Sequence, residues 1–108
     1  GVADISAQAI PMLKKVGDII ARTGFEVRIE GHTDDLPIRT VHFPSNWELS
    51  TARAAVVARH LVKRGISAER IRAIGYADTR PRADNLTPEG RSRNRRVSLV
   101  LQIPSAQN

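Results

Sequence analysis

Two short segments of this sequence carry the side chains best suited to recognising a charged ligand. The first, Gly31-His32-Thr33-Asp34, follows an alternating stretch, and the second begins at Asn46 and contains Arg53. A carboxylate can receive an ammonium group, and a guanidinium can bind a carboxylate in bidentate fashion. Asp34 and Arg53 therefore suit a ligand that carries both an amine and a carboxylate, which indicates a binding site rather than a reaction centre.

A plain salt bridge between Asp34 and Arg53 is the structural alternative, because most charge pairs only support structure. Arg53 is predicted to lie near the start of a helix, where the helix dipole disfavours a cation. Such a placement requires a partner, and Asp34 at the end of a strand is the nearest candidate by topology. Both roles, ion pair and ligand contact, stay open at this point.

Catalytic and metal-binding patterns find little support. His32, Asp34 and Asp35 are close in sequence, but neighbouring aspartates tend to point in different directions, and no HExxH-type spacing is present. No GxSxG elbow, P-loop or GxGxxG accompanies them. The sequence therefore predicts a non-catalytic protein with no cofactor and no metal site.

Composition is that of one globular domain spanning residues 1–108, with 41% hydrophobic and 26% charged residues. A net charge of +6 favours an anionic partner. Nucleic acid is disfavoured because aromatic residues make up only 4% of the chain and are far apart in sequence. One basic cluster, Arg91, Arg93, Arg95 and Arg96, leaves open a contact with nucleic acid or another anionic polymer, but a solvated face that includes one loop-bracing arginine is the simpler interpretation.

Localisation is only weakly constrained by the sequence. Cysteine is absent, which leaves the redox compartment undetermined. No apolar run approaches the roughly 18 to 20 residues of a membrane span, and no signal peptide precedes Val2. We therefore expect either a cytosolic protein or a fragment of a longer one.

Hydrophobic periodicity predicts an α+β fold. The predicted elements are a helix over 7–23 capped by Ser6, a strand over 25–31, a helix from the Ser45/Asn46 cap to about residue 64, a strand over 71–77, a short helix opening at Thr87-Pro88-Glu89, a last strand around 97–103 and a tail over 104–108. This order predicts a two-layer sandwich with two main helices on one face of a sheet.

A long connection over residues 32–45 leads directly into the second helix, and loops of this length are more often functional than idle. Trp47 is the only tryptophan and falls in the first turn of that helix. We expect it to pack beneath the long loop rather than to stack on a ligand.

Four ordered motifs resemble one known family. They are Gly31-His32-Thr33-Asp34, then Asn46 to Ala54 with Leu49-Ser50 and Arg53, then Gly75-Tyr76, and finally Asn85-Leu86-Thr87-Pro88-Glu89-Gly90-Arg91 with Asn94-Arg95-Arg96-Val97. Together they resemble the OmpA-like peptidoglycan-binding domain shared by the OmpA C-terminal region, Pal lipoproteins and MotB-type flagellar stator proteins. The segment from Phe43 to Ser50 is most similar to the C-terminal periplasmic domain of the MotB branch.

The resemblance implies a fold, a ligand and a cellular setting. It implies the OmpA C-terminal-like sandwich with a mixed sheet. It also implies that Asp34 and Arg53 bind the diaminopimelate residue of the peptidoglycan stem peptide, while Thr33, Asn46 and Leu49 line the same pocket. A MotB-like protein would place this domain in the periplasm, attached to an inner-membrane anchor, as a homodimer beside a MotA-like membrane subunit. An OmpA- or Pal-like envelope tether without a role in motility is the alternative.

One departure from the family concerns its first strand. That strand is expected before residues 1–6 and is missing from this sequence. Its loss would leave a sheet edge open unless another segment covers it.

Overall fold

The computed structural model describes residues 9–104 of the chain. Within that range three α-helices alternate with three strands: α1 (Ile10–Thr23), β1 (Glu26–His32), α2 (Asn46–Lys63), β2 (Ile71–Gly75), α3 (Pro88–Asn94) and β3 (Arg96–Gln102). A 3₁₀ helix, Ala68–Arg70, leads into β2. These elements follow the predicted order.

The central strand of the sheet is β1. It pairs in parallel with β2, where Ile29 lies opposite Ala73, and antiparallel with β3, where Ile29 lies opposite Leu99. The described strands thus have the order β2-β1-β3. The predicted α+β sandwich with a mixed sheet is confirmed.

The core lies between one face of this sheet and the two long helices. Val27 and Ile29 point inward from β1, and they pack with apolar side chains of both helices. The helix residues of this cluster are Leu13, Ile20, Ala54, Val57 and Leu61. The side of α2 that carries Ala54, Val57 and Leu61 is therefore the side that meets the sheet.

Helix ends follow the predicted signals with one difference. α1 ends at Thr23 and is capped by Gly24, which adopts a φ of 73° and donates its N–H to the Ile20 carbonyl. The Ser45 hydroxyl caps α2 by accepting a hydrogen bond from the Trp47 N–H and also bonds the Glu48 carboxylate. α1 begins at Ile10 rather than residue 7, and the predicted cap Ser6 lies outside the described residues.

β2 ends two residues earlier than predicted. It stops at Gly75, and Ala77 adopts a left-handed φ of 53°. The Ala77 N–H donates to the Ser50 hydroxyl at 3.0 Å, and its carbonyl accepts from the Thr33 N–H at 2.9 Å. The backbone of Ala77 turns toward α2 and the loop after β1. Its two hydrogen bonds with Ser50 and Thr33 therefore take the place of hydrogen bonds between β2 and β1.

Candidate ligand-binding site at the end of the central strand

Gly31 allows the end of β1 to approach the first turns of α2. A Cβ at this position would lie 2.0 Å from the Ser50 carbonyl oxygen, far inside any normal contact. Only glycine permits this approach without a backbone shift. The close packing brings the segment after β1 alongside the helix that carries Arg53.

Asp34 is held in place by its own loop. The Thr33 hydroxyl donates to the Asp34 carbonyl at 2.8 Å, and the Leu36 N–H donates to Asp34 Oδ1 at 3.1 Å. Thr33 and Asp34 are both buried, with 4% and 7% of their surface exposed. The carboxylate is therefore fixed in direction, as a recognition group must be.

Arg95 forms an ion pair with this carboxylate. Its Nη1 lies 2.6 Å from Asp34 Oδ2, and its side chain is 44% exposed. The sequence predicted Arg53 as the nearest partner by topology and missed Arg95, which lies between α3 and β3. A guanidinium has five N–H groups, so Arg95 can bind Asp34 with one of them while its remaining N–H groups stay available to solvent.

Arg53 lies half-buried on α2 and interacts electrostatically with both Asp34 and Arg95. Burial lowers the pKa of Arg53, and the positive charge of Arg95 lowers it further, while the Asp34 carboxylate acts in the opposite direction. The guanidinium groups of Arg53 and Arg95 thus both interact with the single carboxylate of Asp34. An anionic group from a ligand would offset the cost of holding these like charges together.

Asn46 and Leu49 complete the predicted set. The Asn46 Nδ2 donates to the Leu36 carbonyl at 3.0 Å and to the Asp34 carbonyl at 3.4 Å. Leu49 is buried, with 5% of its surface exposed, and it lies about one turn before Arg53. Asn46 therefore supports the loop that carries Asp34, and Leu49 supplies apolar packing under the same helix turn.

Asn94 and most of the arginines around it, in the basic cluster of residues 91–96, hold neighbouring loops in place. Asn94 is fully buried and bonds the 82–85 loop four times, accepting from the Arg82 and Ala83 N–H groups and donating to the Ala83 carbonyl and Asn85 Oδ1. Arg91 donates to the Asn85 carbonyl, and Arg96 donates to the Arg80 carbonyl. Only Arg93 of the cluster is an exposed side chain without such a contact among residues 9–104.

His32 faces the side of the sheet opposite the helices. Its ring is buried, stacks on Tyr76 with centroids 5.3 Å apart, and places Nε2 3.5 Å from Glu30 Oε1. Burial lowers the pKa of His32, and the nearby Arg96 lowers it further. Within residues 9–104, His32 is not part of any group of three or more side chains able to hold a metal ion.

Comparison with known proteins identifies the family. The OmpA family matches residues 1–95 of the chain. The chain belongs to the OmpA family. Among curated sequences, this OmpA-family chain is 36% identical to Motility protein B of Bacillus subtilis over 103 residues, covering 94% of the chain and 40% of that protein. It is 38% identical to the Peptidoglycan-binding protein ArfA of Mycobacterium tuberculosis over 91 residues, covering 83% of the chain and 27% of ArfA.

Solved structures have the same fold. The C-terminal domain of Helicobacter pylori MotB superposes with a TM-score of 0.86 at 26% identity, over 95% of the chain and 80% of that structure. The cell wall anchor of the type VI secretion system from Pseudomonas aeruginosa gives a TM-score of 0.83 at 39% identity, over 95% and 71%. The OmpA-like fold and the similarity to MotB periplasmic domains are thus confirmed. No described helix of this OmpA-family chain has the length and apolarity that a bilayer crossing requires.

Proposed function

We propose that this OmpA-family domain is a non-catalytic peptidoglycan-binding module that anchors a MotB-type flagellar stator subunit to the cell wall. The observation that carries the proposal is the buried Asp34 carboxylate with Arg95 bound to it and Arg53 within its field. Similarity to Motility protein B and to ArfA supports it.

The proposed ligand is the diaminopimelate residue of the stem peptide, whose side chain ends in an ammonium and a carboxylate. The ammonium would bind Asp34, because each carboxylate oxygen has a second lone pair beyond those used by Leu36 and Arg95. The carboxylate would bind the guanidinium of Arg53. Thr33, Asn46 and Leu49 would fix the walls around this pair.

The cellular setting belongs to the same proposal. The domain would lie in the periplasm of a protein anchored in the inner membrane, as a homodimer with a MotA-like partner. Because many stem peptides surround each molecule, modest affinity at each site is enough for durable attachment. The net charge of +6 would favour encounter with the anionic wall.

Co-sedimentation with purified sacculi tests the proposal. Asp34→Asn and Arg53→Gln should remove most of the binding to diaminopimelate-type sacculi. Asp35→Asn and Arg59→Gln are matched controls, because both residues are exposed and neighbour the site in sequence. Equal binding by the two site variants and the wild type, with all proteins folded by circular dichroism, would overturn the assignment of the site.

The same sedimentation experiment can be repeated with sacculi whose stem peptides have a different third residue. Sacculi that carry lysine in place of diaminopimelate lack the side-chain carboxylate that Arg53 is proposed to bind. We expect weaker sedimentation with them. Equal binding to both polymers would show that diaminopimelate is not the recognised residue, although the domain would still bind peptidoglycan.

An envelope tether without a role in motility is the second candidate. The observation in its favour is the 39% identity with the Pseudomonas aeruginosa cell wall anchor, which exceeds the 26% identity with Helicobacter pylori MotB. Disruption of the gene in its own host separates the two. Loss of swimming with an intact envelope supports the stator, and detergent sensitivity with normal swimming supports the tether.

A further inference from the structure

Three arginine side chains lie together on the face of the sheet opposite the helices, beside the end of β1. Arg96 of β3 pairs directly with His32 of β1, and residues paired across two strands point to the same face. Arg82 precedes α3 and reaches this face, because its Nη2 lies 3.5 Å from the hydroxyl oxygen of Ser98 on β3. Arg80 is next to them, since its carbonyl accepts a hydrogen bond from Arg96 Nη2. We refer to Arg80, Arg82 and Arg96 as the sheet-face arginines.

Arg96 has more buried hydrogen-bond donors than partners. Its Nη2 donates to the Arg80 carbonyl at 3.2 Å, but its Nε and Nη1 are buried and have no hydrogen-bond partner among residues 9–104. In the same part of the chain, neither ring nitrogen of His32 has a hydrogen-bond partner, although Nε2 lies 3.5 Å from Glu30 Oε1. Buried polar groups in folded proteins are nearly always paired, so unpaired donors on a cation indicate that an acceptor binds there.

The charges around Arg96 leave an excess of positive charge on this face. Burial lowers the pKa of Arg96, and the positive charge of Arg82 lowers it further, while Glu30 acts in the opposite direction. The Glu30 carboxylate is already bound by Arg28, whose Nε lies 2.6 Å from Glu30 Oε2. An anion between Arg82 and Arg96 would therefore offset their repulsion and would supply acceptors for the unpaired N–H groups.

Arg82 is the side chain best placed to admit such an anion. It is exposed, and its hydrogen bond to Ser98, at 3.5 Å, is at the long limit for such a bond. Because Nε and Nη1 of Arg96 are buried, an anion reaches them only after a shift of Arg82 or of Arg96 itself. A shift of Arg82 breaks one weak bond, and the anion would then accept hydrogen bonds from both guanidinium groups.

We propose that the sheet-face arginines form a binding site for a phosphate group. The several oxygens of a phosphate group are arranged tetrahedrally, so they can accept hydrogen bonds from guanidinium groups that approach from a strand and from a loop. A carboxylate is planar and suits a single bidentate guanidinium better. The site goes beyond the proposed function and does not depend on it, because Asp34 and Arg53 take no part in it.

Titration with inorganic phosphate, followed by NMR of the backbone amides, tests the inference. Sodium chloride at matched ionic strength is the reference, because it reports general screening. We expect phosphate to cause saturable shifts of the amides of Arg82, Arg96 and Ser98, and chloride to cause none that saturate. Shifts in phosphate no larger than those in chloride would overturn the inference.

Two substitutions separate a specific site from a general effect of charge. Arg82→Gln should weaken phosphate binding about tenfold, the loss expected from one hydrogen bond between charged groups. Arg72→Gln is the matched control, because Arg72 is an exposed arginine of β2 that pairs with Arg28 and so lies on the same face of the sheet. This control should bind phosphate as the wild type does. Equal weakening by the two substitutions would overturn the site, since net charge alone would then explain binding.

Arg53→Gln distinguishes this site from the proposed peptide site, which also carries guanidinium groups. It should leave the phosphate-induced shifts of the Arg96 and Ser98 amides unchanged. Loss of those shifts in a folded Arg53→Gln variant would place the phosphate at the peptide site and overturn the inference.

Flotation with phosphatidylglycerol vesicles identifies the source of the phosphate group. Vesicle binding that Arg82→Gln removes would support the site with a lipid headgroup as its ligand. Phosphate binding without vesicle binding would support the site with a free or polymer-bound phosphate. Vesicle binding by a wild-type domain that does not bind inorganic phosphate would overturn the inference.

Discussion

Asp34 and Arg95 lie 61 positions apart in sequence, yet Arg95 Nη1 is 2.6 Å from Asp34 Oδ2. The contact joins the loop after β1 to the start of β3. It therefore connects the centre of the candidate site to the element that follows α3.

Loss of Arg95 should destabilise the domain. Arg95→Ala removes the 2.6 Å ion pair from the nearly buried Asp34 carboxylate, so we expect the free energy of unfolding to fall by about 1–2 kcal/mol. Urea denaturation followed by circular dichroism measures this. Arg93→Ala, at an exposed position on α3, should change it by less than about 0.5 kcal/mol. Similar losses for both variants would show that the ion pair contributes nothing specific.

Stability should fall in mildly acidic solution because of His32. Its pKa is lowered in the folded state by burial and by Arg96 and Arg82, with Glu30 acting in the opposite direction. The unfolded chain therefore takes up a proton first, near pH 6.5, and stability present above that pH is lost as the pH falls through the folded-state pKa.

Urea midpoints between pH 8 and pH 5 measure this dependence. His32→Asn should flatten the profile, although it should also lower stability at every pH. His42→Gln, at an exposed histidine, should leave the slope unchanged. A slope that persists in His32→Asn would assign the effect to other groups.

Glu30 should affect the stability of the domain in a lower pH range than His32 does. Burial disfavours its charged form, but hydrogen bonds and charge interactions with Arg28 and His32 outweigh burial and lower its pKa. The stability it provides is present above pH 4.5 and is lost as the pH falls below that value. Glu30→Gln should therefore remove part of the loss seen below pH 4.5. Because Glu30 also raises the pKa of His32, the same variant should increase the loss of stability between pH 8 and pH 5.

Two glycines should respond oppositely to the same substitution. A Cβ on Gly31 would meet the backbone of Ser50, so Gly31→Ala should cost several kcal/mol. A Cβ on Gly17 would make only ordinary contacts with Leu61 and Arg64, and Gly17→Ala should stabilise α1 by about 0.5–1 kcal/mol. Thermal unfolding of the two variants would show the contrast, and an equal effect at both positions would contradict it.

Loss of the Asn94 amide donors should loosen the 82–85 loop. Asn94→Asp keeps an acceptor for Arg82 and Ala83 but loses both donors, so the Ala83 carbonyl and Asn85 lose their bonds. We expect a loss of about 2–4 kcal/mol, since each unpaired buried group costs roughly 1–2 kcal/mol. Hydrogen exchange of the loop amides measures the loosening, and unchanged protection would show that the loop is held by other contacts.

Local signals in the sequence were enough to predict the elements and the position of Asp34. Apolar spacing predicts α1, α2 and β1, and Ser45 and Thr87 mark the starts of helices as expected. The pairing of Asp34 with Arg95 was not predictable, because it depends on where Asn94 fixes α3 against the 82–85 loop. That placement comes from buried hydrogen bonds between segments distant in sequence.

Two other features follow only from tertiary contacts. Ala77 has a positive φ although alanine rarely adopts one, because its N–H and carbonyl are bonded by Ser50 and Thr33. Trp47 was expected to pack beneath the long loop, but half of its surface, 51%, is exposed. The hydrophobic periodicity of a helix does not show which other segments cover each of its sides.

The position of β1 has a mechanical consequence. Asp34 follows directly after this strand, which is hydrogen-bonded on one side to β2 and on the other to β3. A pull applied to Asp34 along the axis of β1 would load both ladders in shear, so many hydrogen bonds would have to break together rather than one after another. We therefore expect this domain to resist tension at its binding loop more strongly than it would if that loop followed an edge strand.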